Sequence, residues 1–434
     1  MSENKDDSLK LNKLLKVFSG SFLIRIVYTL FGFINSVLLA RFLGAEQYGV
    51  YIFALSIVAL LSIPTQFGMP MLVVREFAAF QANKQWGLMK GLGLRSHQFV
   101  LVVSAIICSC AATWLWINPD NYAENKQLAL LISLALVPIL SLGSLRDAML
   151  RGLRHVILAQ LPESFIRPLL LMMGLLSAIY FFQFQAKVNN ILIFYIICSV
   201  IAFLIGWYLF NKHKPEELEA TAAAFDSQLW FKAAFPIGLT SAMQVVSGEL
   251  SILYLGFLSL DSEIAFFRIA VLASAVIAIF MQVSDSIVAP YFSRFFHQKK
   301  YREIESLIKK VCILTTALTI PVFIVFITTG EWLISSFYGD SYKSAYYPLI
   351  ILSFGQLLNA AIGPVALLLV MSGQQKLVTW GTLFSLSVNI TLHIILVPIY
   401  GMIGAAIASS VSLVLWNIIL WVQINKKLPI RYLI

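Results

Sequence analysis

The sequence is short of charge and of reactive side chains. Only 12% of its 434 residues are charged, whereas soluble domains carry roughly 25%. A water-soluble globule is excluded, because it would expose too much apolar surface. The four cysteines lie in apolar stretches and the five histidines match no metal-site spacing, so packing is favoured over disulfide or metal chemistry. The sequence contains no phosphate loop, nucleophile elbow or zinc spacing, so no enzyme chemistry is indicated.

Long apolar runs fill most of the chain, 59% of which is hydrophobic. Runs of about 20 apolar residues predict membrane-spanning helices, because backbone groups must be satisfied within the bilayer. We predict an all-α polytopic membrane protein whose first span is retained rather than cleaved as a signal peptide. The twelve predicted spans are 17–40, 48–70, 96–117, 127–148, 165–182, 190–210, 232–258, 265–289, 307–329, 345–371, 377–397 and 402–423.

The distribution of Lys and Arg predicts the orientation. With the N-terminus in the cytoplasm, twenty-four of the 31 basic residues fall in cytoplasmic segments and four on the opposite side. This asymmetry is typical of inner loops and predicts that both termini are cytoplasmic. The same asymmetry explains the net charge of +10. Contact of the basic loops with anionic lipid headgroups accounts for this charge, so nucleic acid is not expected as a partner.

The longest polar segment divides the predicted spans into two sets of six. We therefore predict an N-terminal six-helix lobe over 1–210, a cytoplasmic linker over 211–231 and a C-terminal six-helix lobe over 232–434. Two helical lobes are the usual architecture of alternating-access transporters.

Two polar stripes lie at equivalent places in the two lobes and predict a shared aqueous cavity. Close packing through small residues is the alternative, and it is preferred for Gly32 and Gly248. The stripe of span 1 contains Arg25, Thr29, Gly32 and Ser36, with Tyr28 and Asn35 beside it. The stripe of span 7 contains Thr240, Gln244, Gly248 and Ser251.

Arg25, Arg167 and Arg268 fall within predicted spans and are candidate substrate-binding residues. Arg25 lies about 12 Å into span 1 at 1.5 Å per residue, where a charge needs water or a partner. Arg167 and Arg268 lie near span ends, where either could also reach an interface. A guanidinium group suits phosphate oxygens because it binds them in pairs.

Glu249, Asp285 and His393 are candidate ion-coupling residues, for which H+ or Na+ would be the ion. The alternative for the two acids is a structural ion pair. For His393 it is a hydrogen-bonded interior position, which is more common than a proton relay. We expect no cofactor and no bound metal.

Three segments carry a resemblance to a known family. Leu39–Tyr51 (LARFLGAEQYGVY) resembles the turn after span 1 of the polysaccharide-transporter branch of the superfamily that includes multidrug extruders and lipid II flippases. Residues 151–154, 161–163 and 167–168 resemble that branch's approach to span 5. The turn between spans 11 and 12, with Asn389, Pro398, Gly401 and residues 404–406, is also similar.

The resemblance covers nearly the whole chain; it is specific to the superfamily and fairly specific to the O-antigen (Wzx-type) flippases. It implies a V-shaped, MATE-like, two-lobed fold that moves an undecaprenyl-diphosphate-linked oligosaccharide across the bacterial inner membrane. It also implies cationic cavity residues, which here are Arg25 and Arg268. The polar stripes and span 5 supply Arg167, Tyr28, Ser36 and Gln244 as further candidate substrate-binding residues. The family commonly has Asp where this chain has Glu249, and lipid II flippases have fourteen spans rather than twelve.

Two other functions stay open at this point. One is a multidrug or organic-cation antiporter on the same fold, which should present acids to its cavity. The other is a non-transporting scaffold in a polysaccharide-assembly complex. The resemblance also suggests an O-antigen polymerase and a chain-length regulator as partners, but the glycan, the coupling ion and the oligomeric state are not indicated.

Overall fold

The computed structural model describes residues 3–121, 123–181 and 187–430, and the side chains of 27–120, 123–178 and 187–430. Within these ranges nearly all of the chain is helical. Short 3₁₀ turns occupy Pro119–Asn121 and Asp340–Ala345, and a π turn occupies Pro162–Ile166. The α-helices are α1 (Glu3–Gln66), α2 (Met69–Ala82), α3 (Trp86–Ile117), α4 (Glu124–Ser133), α5 (Leu136–Gly152), α6 (Val156–Leu161), α7 (Arg167–Phe181), α8 (Val188–His213), α9 (Glu217–Ala220), α10 (Ser227–Leu258), α11 (Asp261–His297), α12 (Tyr301–Tyr338), α13 (Tyr346–Ile362), α14 (Val365–Met371) and α15 (Gln375–Lys427).

The prediction of a helical, multi-pass membrane protein is confirmed. In the part of the chain that the structure describes, ten helical segments are long and apolar enough to cross a membrane. Two of them, in α1 and α15, each contain two predicted spans joined at a glycine with non-helical backbone angles, Gly44 (φ 74°) and Gly401 (φ 54°). The number of twelve crossings and the cytoplasmic position of the termini stay predictions.

One predicted span is interrupted. The span expected over 345–371 is helical only to Ile362, and the chain turns at Gly363 (φ 87°) before α14 begins at Val365. Pro364 explains the break, because a proline disfavours helical backbone angles in the residue before it. Sequence hydropathy does not register such a turn, since the residues on both sides are apolar.

Glu263 stabilises the bend inside α15. Its Oε2 accepts a hydrogen bond of 3.0 Å from the backbone N–H of Met402, one of the donors that a bend leaves without a helical acceptor. A Cβ atom on Gly401 would lie 2.4 Å from this Oε2, so the carboxylate can approach only because residue 401 is glycine.

The chain forms two compact units. Unit 1 contains the chain up to Leu43 together with Ala54–Val245, and unit 2 contains Gly44–Phe53 together with Val246–Ile434. This division follows the packing of residues, whereas the predicted lobe boundaries at 211 and 232 follow the predicted spans, and those boundaries stay a prediction.

The segment Gly44–Phe53 is held in unit 2 by close backbone packing. A Cβ atom on Gly49 would lie 1.7 Å from the backbone oxygen of Asp261, which only glycine permits. The ring of Phe53 packs edge-on against that of Phe257, with 5.4 Å between their centroids. The Leu39–Tyr51 motif therefore has a packing role: its glycine allows this segment to lie directly against the start of α11.

Each unit has its own apolar core. The core of unit 1 joins α2, α3, α5 and the first half of α10. The core of unit 2 joins α11, α12, α14 and the last part of α15. The polar groups described next lie within unit 1, against the helices of its core.

Candidate functional site

Unit 1 contains a partly buried cluster of charged side chains, which we call the arginine cluster: Arg146, Glu163 and Arg167. The side chain of Arg146 is completely buried (0% exposed), and its Nη2 lies 3.6 Å from Glu163 Oε1. Arg167 Nη1 lies 2.8 Å from the other oxygen of the same carboxylate. Glu163 therefore sits between two guanidinium groups, and the cluster carries one excess positive charge.

The local backbone brings these groups together. Glu163 lies in the π turn Pro162–Ile166; π turns are rare and are frequently found at functional sites. Two glycines make room for the side chains: a Cβ on Gly143 would lie 2.6 Å from Glu163 Oε1, and one on Gly206 would lie 1.4 Å from Arg146 Nη1. With α8 so close, Arg146 Nη1 donates a 3.3 Å hydrogen bond to the carbonyl oxygen of Ala202.

A second ion pair adjoins the cluster on α5. Arg151 Nη2 contacts Asp147 Oδ2, one helical turn away, and Asp147 is also within electrostatic reach of Arg146 and Glu163. In the described part of the chain, the buried atoms Arg146 Nε, Arg151 Nε and Asp147 Oδ1 have no hydrogen-bond partner. Buried polar groups are normally satisfied, so this region retains unused capacity to bind a polar ligand.

A cavity of about 210 Å³ opens beside Arg151, entirely within unit 1. Its polar lining residues are Ser62, Gln66, Arg151 and Ser241, and the rest of its wall is apolar or glycine. The cavity lies where the chain breaks between α1 and α2, with Gly68 at φ 74°. We call it the Arg151 pocket.

Close backbone contact brings α10 to the Arg151 pocket. A Cβ on Gly68 would lie 2.5 Å from the backbone oxygen of Ala234 and 2.5 Å from the nitrogen of Gly238. On the α5 side, the hydroxyls of Thr65 and Ser141 are 2.7 Å apart and buried. Glycine at 68 and 238 thus lets the turn between α1 and α2 lie directly against the middle of α10, which positions the polar wall of the pocket.

The structure brings two predicted site residues, Arg167 and Tyr28, close to the same side chain. The guanidinium carbon of Arg167 lies 5.6 Å from the centroid of the Tyr195 ring, and Tyr195 is within electrostatic reach of Tyr28 as well. Tyr28 is 46% exposed. Next to it in the predicted stripe, Ser36 is buried and Asn35 donates a hydrogen bond of 2.9 Å to the carbonyl oxygen of Pro168.

Arg25 lies in α1 but outside the residues whose side chains the structure describes. Gln244 is exposed on the part of α10 that belongs to unit 1. In unit 2, Arg268 and Asp285 of α11 and Glu249 of α10 are half-buried. Arg268 and Asp285 form no ion pair with any group that the structure describes.

His393 is completely buried in unit 2, and both ring nitrogens have partners. Its Nδ1 lies 2.8 Å from the carbonyl oxygen of Asn389, and a carbonyl can only accept, so Nδ1 carries the proton in the neutral ring. Nε2 then accepts a 2.8 Å hydrogen bond from the hydroxyl of Ser251, which lies 2.9 Å from that of Ser409. Its place in ion coupling stays a prediction.

The preferred explanation for Gly32 and Gly248, close helix packing, is wrong. A Cβ atom on either glycine would meet no described atom within 4 Å, and both residues are exposed. Helix packing through glycine needs a neighbouring backbone at contact distance, and neither glycine has one among the residues that the structure describes.

Sequence reasoning missed Arg146, Asp147, Arg151 and Glu163. Counting basic residues assigned Arg146 and Arg151 to a cytoplasmic segment, but Arg146 is fully buried against α8. A signal was available, because Asp147–Arg151 and Glu163–Arg167 are both acid–base pairs spaced four residues apart, as on one helix face. Within the described ranges, no three His, Cys, Asp or Glu side chains lie close enough to hold a metal ion.

The described residues are nearly all helical and contain ten apolar segments long enough to span a bilayer, which places the chain in the class of multi-pass membrane proteins. The family described as "Polysaccharide biosynthesis protein" matches residues 38–348. The chain therefore belongs to that family, as its resemblance to polysaccharide transporters predicted.

Known proteins agree with this assignment. A probable low-salt glycan biosynthesis flippase of Haloferax volcanii is 25% identical over 158 residues, which cover 36% of this chain and 34% of that protein. The chain thus matches only about a third of that relative's length.

Two solved structures show the fold. An inward-facing multidrug resistance MATE family transporter of the MOP superfamily has a TM-score of 0.77 at 13% identity, with 92% of this chain and 94% of that chain covered. The lipid II flippase MurJ, in an inward closed conformation, has a TM-score of 0.73 at 16% identity, with 94% and 87% covered. The predicted MATE-like helical fold is confirmed at this level.

Proposed function

We propose that this protein is a flippase that moves an undecaprenyl-diphosphate-linked oligosaccharide from the cytoplasmic to the periplasmic leaflet of a bacterial inner membrane. The single observation that carries the proposal is the arginine cluster of unit 1, in which two guanidinium groups share one carboxylate.

The diphosphate is the part of a lipid-linked glycan that hydrocarbon excludes most strongly, because a charge in the bilayer core costs several kcal/mol or more. Arginines replace lost hydration with charge-assisted hydrogen bonds, and the planar fork binds two phosphate oxygens at once. Arg167 lies against the Tyr195 ring, and Tyr195 is also within electrostatic reach of the exposed Tyr28. An anion near the Tyr195 ring would therefore meet a guanidinium already held in position.

The sign of the excess charge in unit 1 distinguishes a flippase for an anionic lipid from a multidrug or organic-cation antiporter on the same fold. A cation antiporter needs carboxylates that are free to bind its cargo. In unit 1, Glu163 faces Arg146 and Arg167, and Asp147 faces Arg151, so the buried acids are already engaged by arginines. The excess charge is positive, which favours an anionic substrate.

The energy source is also part of the proposal. Asp285, Glu249 and His393 are the candidate ion-coupling residues for an H+ or Na+ gradient. Of these, Asp285 is the first to test, since it is half-buried on α11 without an ion-pair partner among the described groups. An O-antigen polymerase and a chain-length regulator are the proposed protein partners.

Deletion of the gene tests the function. We expect mass spectrometry of lipid extracts to show that single repeat units linked to undecaprenyl diphosphate accumulate while surface glycan disappears. The wild-type gene should reverse both changes. Arg25→Ala and Arg268→Ala should not, because each removes a cation from the proposed path of the diphosphate.

Arg302→Ala is the matched control, because Arg302 is an exposed residue of α12 that loses the same charge at the surface. It should restore export as well as the wild type does. Normal lipid pools and normal surface glycan in the deletion strain, with no second flippase present, would contradict the proposal and leave the antiporter as the next candidate.

A further inference from the structure

We propose that the Arg151 pocket is a binding site for the phosphate end of a prenyl phosphate or diphosphate, with Arg151 as the residue that binds the phosphate oxygens. This proposal rests on the proposed function, because it assigns one part of that function's substrate to one place in unit 1. It concerns a different site from the arginine cluster, since Arg146 and Arg167 do not line this pocket.

The size of the pocket selects the part of the substrate that fits. Its volume of about 210 Å³ is below the roughly 300–1,000 Å³ of pockets that hold drug-sized ligands. A phosphate group with the first carbon atoms of an attached chain fills this volume, and the rest of a longer ligand would extend out of the pocket. The pocket therefore suits the junction between the lipid and the glycan.

The lining selects the same chemistry. Arg151 is the one charged residue among the described lining residues, and Ser62, Gln66 and Ser241 add hydroxyl and amide groups. The remaining wall is apolar, with Ile63 and Met71 among its residues. A cation next to apolar side chains matches a phosphate that is attached to an isoprenoid, whereas a free phosphate would leave the apolar wall without a partner.

Arg151 has donors available for a ligand. Its side chain is 39% exposed and contacts Asp147 through Nη2, while its buried Nε has no hydrogen-bond partner in the described part of the chain. A guanidinium group offers five donors in a fixed fork, so an anion in the pocket would find donors that the pair with Asp147 does not use.

The position of Asp147 allows Arg151 to exchange its carboxylate partner for a phosphate. It lies within electrostatic reach of Arg146 as well as of Arg151, so it keeps a cationic neighbour when Arg151 turns toward a phosphate. The same carboxylate competes with the phosphate for Arg151. Its removal should therefore tighten phosphate binding, whereas removal of Arg151 should weaken it.

The test measures binding of farnesyl diphosphate to the purified full-length protein by isothermal titration calorimetry, below the critical micelle concentration of the ligand. Arg151→Gln should weaken binding at least tenfold, because it removes a charge-assisted, bidentate contact. Asp147→Asn should tighten farnesyl diphosphate binding severalfold. The control is Arg154→Gln, which removes the same charge from an exposed residue three positions away; it should change the dissociation constant less than twofold.

Two further ligands distinguish the sources of the phosphate. Inorganic pyrophosphate should bind at least tenfold more weakly than farnesyl diphosphate, and phosphatidylglycerol should not compete. Equal binding by pyrophosphate would overturn the prenyl assignment in favour of a free phosphate. Competition by phosphatidylglycerol would overturn it in favour of a general anionic-lipid site.

The opposite signs expected for Arg151→Gln and Asp147→Asn separate binding from misfolding, since a folding defect would weaken binding in both. Farnesyl diphosphate binding that is absent from the wild-type protein, or unchanged by Arg151→Gln, overturns the inference. Either result is independent of the gene-deletion experiment. Accumulated lipid-linked repeat units together with Arg151-independent binding would leave the flippase intact and remove only this site.

Discussion

Glu163→Gln is the substitution that tests the arginine cluster most sharply. Glutamine keeps the shape of the side chain but removes the charge that lies 3.6 Å from Arg146 and 2.8 Å from Arg167. Breaking a buried ion pair by removing one partner costs about 3–5 kcal/mol. We expect the low end, about 3 kcal/mol, because Glu163 is 23% exposed and Arg146 keeps Asp147 as a carboxylate neighbour.

The measurement is the free energy of unfolding of the purified protein in mixed SDS micelles. Glu46→Gln is the control, because Glu46 is exposed and forms no ion pair within the described residues. Arg146→Met in the Glu163→Gln background should recover part of the loss, since an apolar side chain of similar length removes the unpaired buried charge. If the free energy of unfolding of the Glu163→Gln protein lies within about 0.5 kcal/mol of the parent's, a change typical of ordinary surface positions, this reasoning is refuted. It is also refuted if adding Arg146→Met to Glu163→Gln lowers the free energy of unfolding further.

Three further predictions concern glycines and use the same unfolding measurement. Gly206→Ala should cost about 2–3 kcal/mol or more, because its Cβ would lie 1.4 Å from Arg146 Nη1; a stability equal to the parent's would show that Arg146 can leave this position freely. Gly401→Ala should cost about 1–3 kcal/mol, since it strains a backbone with φ 54° and displaces the Glu263 carboxylate, and a neutral result would contradict the capping role. Gly32→Ala and Gly248→Ala should change stability by less than about 1 kcal/mol, as nothing lies within 4 Å of either added Cβ, whereas a large loss would restore the helix-packing explanation.

The helical fold was predictable from composition, because a chain with 59% hydrophobic and 12% charged residues has few alternatives to membrane-spanning helices. Breaks in the helices were less predictable. At Gly44 and Gly401 the chain was expected to turn between spans, but at Gly363 the flanking residues are apolar and hydropathy continues across the turn. A glycine followed by a proline was the available signal.

The candidate site was predictable only in part. Arg167 was identified because a charge inside a span is unusual. Arg146, which contacts the same carboxylate, was counted with a cytoplasmic segment although residue 146 falls within the predicted span 127–148. The contact between Arg146 and Glu163 joins residues on different helices, and such a pairing depends on tertiary packing that hydropathy does not encode. The roles of Gly143 and Gly206 are equally invisible in the sequence, since each glycine accommodates a side chain from another helix.

The arginine cluster and the Arg151 pocket together give unit 1 two sites of positive charge with different surroundings. Arg146 is fully buried and holds Glu163, whereas Arg151 is partly exposed and lines a cavity. A rigid, buried arginine suits the positioning of other groups, while a partly exposed one is free to exchange partners. This difference is why we assign a positioning role to Arg146 and a binding role to Arg151.

The most direct test of the central claim is translocation by the purified protein alone. Proteoliposomes would contain undecaprenyl-diphosphate-linked oligosaccharide in the inner leaflet, and a membrane-impermeant glycosidase would report its arrival in the outer leaflet over time. We predict that the wild-type protein increases the cleaved fraction above that of protein-free liposomes and that Arg268→Ala does not. Equal cleavage with and without the protein, under an imposed H+ or Na+ gradient of either direction, would contradict the account.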